Sequence, residues 1–335
     1  MMADNSLKTN LTKALGLPEN PPKNSSGSQV RVPYAEKDGL LVHVSTVARG
    51  LKCNAYCPVC KTPVVARKGE KTSHHFAHYP GANCSAETVL HFIGKQLIYE
   101  KLLAAIHLNQ PINLQWKCIA CSEHHHMNLM ENVRQVTLEK PIDRCRPDIC
   151  LLSADHQPRA LIEIVVSHRP DRKIIDYCNQ HNIPLVIFRI TGAEALEKIG
   201  LSPRLKPSLV LYCLRDRCPN CGGPLFEKRL FIIAGSCWRC GAPMQLAAME
   251  INQTLHGIPH FSQADRLIAR DKGVIFREYI NKKARRRELA VACPSCGVVT
   301  GNRFAGYQKR ITSKRSGIYR GKICLNCRTH MDEPV

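Results

Sequence analysis

The chain has 335 residues, 18 of them cysteine, and 48 Lys and Arg against 27 Asp and Glu, a formal charge of +21. That length holds two or more domains and 44% hydrophobic residues exclude a wholly disordered chain, while the charge surplus points to a polyanionic partner, nucleic acid before acidic membrane. The polar opening MMADNSLKTN lacks the apolar segment of a secretory signal, and no apolar run reaches the ~18 residues of a membrane helix, so a cytoplasmic protein without membrane insertion is expected.

Residues 1–29 read as a disordered tail, because PENPPKNSSGSQ has too little apolar surface to offset ordering. An N-terminal zinc-binding module is expected over 30–85. VRVPYAEKDGLLVHVSTV reads as two short strands about the Asp38-Gly39 turn. Cys57-Pro-Val-Cys60 is a knuckle, in which one tight turn aims two sulfurs at one ion. A strand over PVVARK, a turn at Gly69 and a returning strand lead to His75 and His78, expected to complete the site. Cys84 and Cys53 compete for a place, and His74 faces the other way.

The core is expected over 86–205. Val89, Leu90, Ile93, Leu97, Ile98, Leu102 and Leu103 recur at helical spacing in AETVLHFIGKQLIYEKLLAAI. INLQWKC reads as a strand running into Cys118-Ile-Ala-Cys121, with His124, His126, Cys145 or Cys150 as candidate partners. Cys178 and Cys213 read as ordinary thiols. VRQVTLEK, PDICLLSA, RALIEIVVS and PLVIFRI read as strands, and 170–181 as a helix. This order is the text of an α/β domain with a mixed sheet.

Charge is uneven: residues 1–200 carry a net +6 and 201–335 a net +15. Cys218-Pro-Asn-Cys221 and Cys237-Trp-Arg-Cys240, 15 residues apart, suit a zinc ribbon over 206–245. A helical basic linker over 246–290, ending in Lys282, Lys283, Arg285, Arg286 and Arg287, leads to a C-terminal basic ribbon over 291–335. There Cys293 and Cys296 are expected to share an ion with Cys324 and Cys327. Its loop sets Arg303, Lys309, Arg310, Lys314, Arg315, Arg320 and Lys322 among Phe304, Tyr307 and Tyr319. Cations neutralise phosphates and aromatics stack on bases, so contact with a nucleic-acid backbone is expected.

Arg146-Pro147-Asp148-Ile149 opens one strand, and Glu163 lies within the next. Two carboxylates in such apolar text can hold Mg²⁺ or Mn²⁺, which activates water and offsets charge on a phosphate under attack. Pro-Asp, then Glu inside an apolar strand, resembles the PD-(D/E)XK nuclease core. The wider text, with CPVCKTPVVARKGEKTSHHFAH, AETVLHFIGK, RPDI and IEIVVSH, is similar to the competence protein CoiA-like family over roughly 35–190. The resemblance implies an α/β fold: a PD-(D/E)XK nuclease-like mixed-sheet core flanked by small β-rich zinc-ribbon modules. It implies a metal-dependent hydrolase of DNA phosphodiesters in processing, uptake or defence. Asp148 and Glu163 would be the metal pair and Glu87 an accessory acid, with His91 and Lys95 further along its helix. The lysine of the pattern, two residues after Glu163, is here Val165. Lys173 is the first substitute and Lys95 the second, and His168 can serve as an acid or base near neutral pH. A catalytically silent zinc-ribbon adaptor that binds nucleic acid is the competing reading, and Val165 favours it.

Overall fold

The computed structural model describes residues 11–17, 31–70, 72–78, 84–281, 284–300 and 316–333, in two units, Met1–Cys213 and Leu214–Val335. In the first unit a short helix, α1 (11–15), buries Leu11 and Leu15. Leu17 follows them into a cluster with Ile174, Ile175 and Cys178. The expected tail is corrected over these residues: burying each leucine contributes about 1.5–3 kcal/mol, which offsets part of the cost of ordering so short a segment. β1 (Arg31–Val32) is followed by β2 (Tyr34–Lys37) and β3 (Leu40–His43), a hairpin whose turn residues Asp38 and Gly39 have φ of 52° and 79°. β4 (Val64–Arg67) and β5 (His75–His78) join β1 in an antiparallel sheet of order β1-β5-β4.

α2 (Ala86–His107) buries Val89, Ile93, Leu97, Ile98 and Leu102 along one stripe. β6 (Asn113–Lys117) and β7 (His124–Asn128) form a separate hairpin. Then come β8 (Gln135–Leu138), β9 (Ile149–Leu152), β10 (Pro158–Val165), α3 (Arg172–His181), β11 (Leu185–Arg189), α4 (Ala193–Leu201) and β12 (Leu209–Leu211). The five strands lie in the order β12-β11-β10-β9-β8. β10 and β11 run parallel, joined across α3, and the other pairs are antiparallel. This is the expected mixed α/β arrangement. β10 is buried on both faces, hence its unbroken apolar text. Leu161 and Val165 meet Ile174 and Ile175 of α3. Ile164 lies on the side of α2, where a Cβ on Gly94 would stand 3.5 Å from it and 3.0 Å from Ile190.

The second unit is built on β13 (Leu225–Ser236), β14 (Pro243–Ile251) and β15 (Thr254–His256). α5 (Gln263–Asp271), a hairpin of β16 (Phe276–Asn281) and β17 (Arg286–Val291), then β18 (Ser316–Cys324) and β19 (His330–Asp332) complete it. The large sheet has the order β15-β14-β13-β18-β19 and is antiparallel throughout. The helical linker expected over 246–290 is corrected, because helix occupies only Gln263–Asp271. A capping box between Ser262 and Asp265 opens α5, and Gly273, at φ 87°, follows its end. Arg286 and Arg287 stand on β17 instead, where Glu288 accepts hydrogen bonds from Arg286, Asn281 and Tyr279. Lys228 and Asp265 are fully buried. The Lys228 ammonium donates to Asp265 at 2.6 Å and to His330 at 3.0 Å and pairs with Asp332, while Arg320 donates to Asp265 at 3.2 Å. Asp265, His330 and Asp332 alone look like cation ligands, but the ammonium already joins all three.

Candidate active site and metal centres

Asp148 lies one residue before β9 and Glu163 on the adjoining β10, where the register sets Ile162 against Ile149. The Asp148 N–H donates to Glu163 Oε1 at 3.1 Å, and the Ile164 N–H donates to Asp148 Oδ2 at 2.8 Å. Each carboxylate is thus tied to the other's strand. Burial, and after it the charge of Asp148, pushes Glu163 up to about 8. α2 brings His91 and Lys95, four residues apart on one helix face. His91 Nε2 lies 3.1 Å from Asp148 Oδ2, and Lys95 Nζ lies 3.7 Å from Asp148 Oδ1. Lys95 also pairs with Glu139, and Arg146 donates to the second oxygen of Glu139 at 2.8 Å. The hydrogen bond and charge of Lys95 hold the Glu139 carboxyl below its usual value.

Of the two substitutes for the missing lysine, the structure brings Lys95 to the acids. Lys173 is exposed on the first turn of α3, and among the described residues no ion pair joins it to either acid. Val165 is buried and offers no amine. Glu87 stands one turn before His91 but bonds elsewhere, accepting from Ser167 and, at 2.9 Å, from exposed His168. Burial works to raise Glu87, yet those hydrogen bonds hold it below its usual value. Glu139 went unread in the sequence, because its place depends on a loop that folds back. The Glu139 N–H donates to the Asp148 carbonyl at 3.0 Å.

The knuckles share one turn. In Cys57-Pro-Val-Cys60 the Lys61 N–H donates to the Cys57 carbonyl at 2.9 Å, the Cys57 N–H donates to the Thr62 carbonyl at 2.8 Å, and Lys61 has φ 58°. The same two bonds and a positive φ recur at Gly222, Gly241, Gly297 and Arg328. Four groups come together at the first centre: Cys57, Cys60, His78 and Cys84. Cys60 Sγ lies 3.3 Å from His78 Nε2, and Cys57 Sγ 3.9 Å from Cys84 Sγ. His75, expected as a ligand, is excluded by register: β5 sets His78 beside Val64, next to the knuckle, and His75 beside Arg67, about 10 Å along the strand. Cys53 donates to the Val64 carbonyl and stands outside the group.

In the second unit the expected pairing of knuckles is corrected. Cys218 and Cys221 join Cys324 and Cys327, while Cys237 and Cys240 join Cys293 and Cys296. The reason is length. The first two knuckles sit at opposite ends of the 12-residue β13, about 40 Å apart at strand rise, and cannot share an ion. β18 instead returns Cys324 opposite Leu225. The Sγ separations are 3.6 Å for Cys218 and Cys327, 3.4 Å for Cys221 and Cys324, and 3.7 Å for both Cys237–Cys296 and Cys240–Cys293. Zn–S bonds of ~2.3 Å in a tetrahedron give edges of about 3.8 Å, close to these values. These Cys and His clusters therefore have the composition and spacing to bind zinc. Cys118 and Cys121 meet His125 and Cys213, not the His124, His126, Cys145 or Cys150 expected. In β7 alternation turns His125 inward and its two neighbours out.

Lys282, Lys283 and the stretch from Arg303 to Arg315, with Phe304 and Tyr307, lie outside the described residues. Of the rest of that basic loop, Arg320 is buried against Asp265 and Lys322 pairs with Asp216, so neither is a free phosphate contact. No helix among the described residues is long and apolar enough to cross a membrane.

Residues 47–87 match the family model described as competence protein CoiA, N-terminal domain. No curated protein and no solved structure matches the chain. The matched segment runs from the end of the first hairpin module through Cys57, Cys60, His78 and Cys84 to Glu87 on α2. That segment, which holds all four groups of the first centre, is thus similar to the CoiA N-terminal domain.

Proposed function

We propose that the protein is a divalent-metal-dependent hydrolase of nucleic-acid phosphodiesters, acting on DNA in competence-related processing, uptake or defence. The observation that carries this reading is the convergence of Asp148 and Glu163 on neighbouring strands with the Lys95 ammonium 3.7 Å from Asp148. The donor set fits Mg²⁺ or Mn²⁺: two hard carboxylates, one of them raised by burial and by its neighbour's charge, which a cation relieves. When bound, such an ion supplies an activated water and offsets charge on the phosphate. The chain's own groups do the rest. The Ile164 N–H and His91 orient the Asp148 carboxylate. Lys95, held by Glu139, offers a fixed positive charge where a phosphate docked at the acids gains negative charge. Arg146 in turn anchors Glu139. Zinc in the Cys57/Cys60/His78/Cys84 centre and in the two four-cysteine centres would be structural, since four protein ligands leave no open position. Thiolate ligands of this number favour a reducing, cytoplasmic setting.

The test incubates the full chain with Mg²⁺ or Mn²⁺ and linear, single-stranded or branched DNA. Cutting is expected, abolished by the double change Asp148→Ala, Glu163→Ala and lowered by about 10²-fold or more by Lys95→Ala. Cutting that survives the double change removes the site. Tight DNA binding without cutting under any of these metals selects the silent adaptor, the reading that Val165 supports.

A further inference from the structure

We infer that Cys118, Cys121, His125 and Cys213 hold a further zinc ion, which staples the β6–β7 hairpin to the end of the first unit. Three observations carry it. The ligand atoms all lie within 4.8 Å of one another, with Cys121 Sγ 3.2 Å and Cys213 Sγ 3.7 Å from His125 Nε2. Zn–S and Zn–N bonds of about 2.3 and 2.0 Å give tetrahedral S···N edges of roughly 3.5 Å, which these two distances straddle.

The second observation is the turn. At Cys118-Ile-Ala-Cys121 the Ser122 N–H donates to the Cys118 carbonyl at 2.8 Å, the Cys118 N–H donates to the Glu123 carbonyl at 2.7 Å, and Ser122 has φ 64°. This is the turn of the other five knuckles, here carried, as at Lys61 and Arg328, by a residue with a Cβ, for which a positive φ costs about 1–2 kcal/mol. The third is the approach of Cys213. Trp116, cross-strand partner of His125, donates from Nε1 to the Tyr212 carbonyl at 3.0 Å and meets the His125 ring edge-on at 5.5 Å. The residue before Cys213 is therefore held on the hairpin that carries the other three ligands. All four ligands are buried, whereas Cys221, Cys240 and Cys296 of the four-cysteine centres are exposed. The site has four protein ligands and no open position, so it takes Zn²⁺ in a structural role. The ion joins His125 to a cysteine 88 residues away and fixes the strand end that leaves β12.

Zinc content of the full-length protein, read by elemental analysis, tests this. Four zincs per chain are expected, with three in His125→Ala and in Cys213→Ser and four again in His125→Cys. Either of the first two variants carrying the wild-type number overturns the site. A second reading needs no variant: cadmium-113 spectra of the substituted wild-type protein should show two resonances in the three-sulfur, one-nitrogen range beside two four-sulfur resonances. One such mixed-ligand resonance, assigned to the Cys57 centre, overturns the site as well.

Discussion

Glu163 takes up a proton on folding. Its carboxyl stands at about 8 through burial and the charge of Asp148, whereas an unfolded glutamate titrates near 4.3. Below the unfolded value both states are protonated and the group's contribution is fully present. Between the two values only the unfolded chain ionises, so stability falls at roughly 1.4 kcal/mol per pH unit and levels off above pH 8. In metal-free protein Glu163→Gln is expected to abolish that fall. Its denaturant midpoint should gain on wild type from pH 5 to pH 8, and parallel profiles would contradict the assignment. Asp148, Glu163 and the His91/Lys95 helix face were legible because their patterns are local: a Pro-Asp strand start, an acid in an apolar strand, a four-residue step. Cys213 and Glu139 were not, since each meets its partners only after a chain reversal that spacing does not encode. Lys173 stood closer in sequence to Glu163 than Lys95 did, and proximity along the chain misled.

β18 crosses from Lys228 of β13 to Asp332 of β19, and Gly321 lies in its middle at φ 91°. A Cβ there would stand 2.1 Å from the Met331 carbonyl oxygen, a backbone atom that cannot move without shifting β19. β19 carries His330 and Asp332 onto the buried ammonium. Gly321→Ala is therefore expected to cost more than the ~1–3 kcal/mol of backbone strain alone. Gly39→Ala, at φ 79° with nothing within 4 Å of its Cβ, should cost only the strain. Chemical denaturation of both variants checks the order, and equal losses would refute it. Elements with a strong period, such as α2 and β10, were legible. The hairpin of β16 and β17 read as helix because a run of lysine and arginine has no period to distinguish the two. In and just after the short α1, three leucines were overshadowed by the proline- and serine-rich text that follows.

The two four-cysteine centres of the second unit are nested, one pair of knuckles inside the other in sequence. Neither half of that unit can complete a centre alone. A chain stopped after residue 290 is expected to hold no zinc in the second unit and to keep the zinc of the first. Sequential ribbons would retain one ion on Cys218, Cys221, Cys237 and Cys240, so elemental analysis of the truncated chain separates the arrangements. The knuckles themselves were legible from the Cys-x-x-Cys spacing. Their partners were not, because spacing gives distance along the chain, and it is the twelve-residue span of β13 that forbids the nearer match.

Nesting also gives the second unit a calendar. The inner centre joins Cys240 to Cys293 across 53 residues, and the outer joins Cys221 to Cys324 across 103. Doubling a loop adds only about 0.6 kcal/mol of closure entropy, so energetics barely rank the two. Synthesis ranks them firmly. At about 5–20 residues per second the Cys218–Cys221 knuckle emerges first, yet stays open for roughly 5–20 s before Cys324 and Cys327 follow. During that interval the inner ion can already be in place, so the earliest thiolates to appear are the last to be closed.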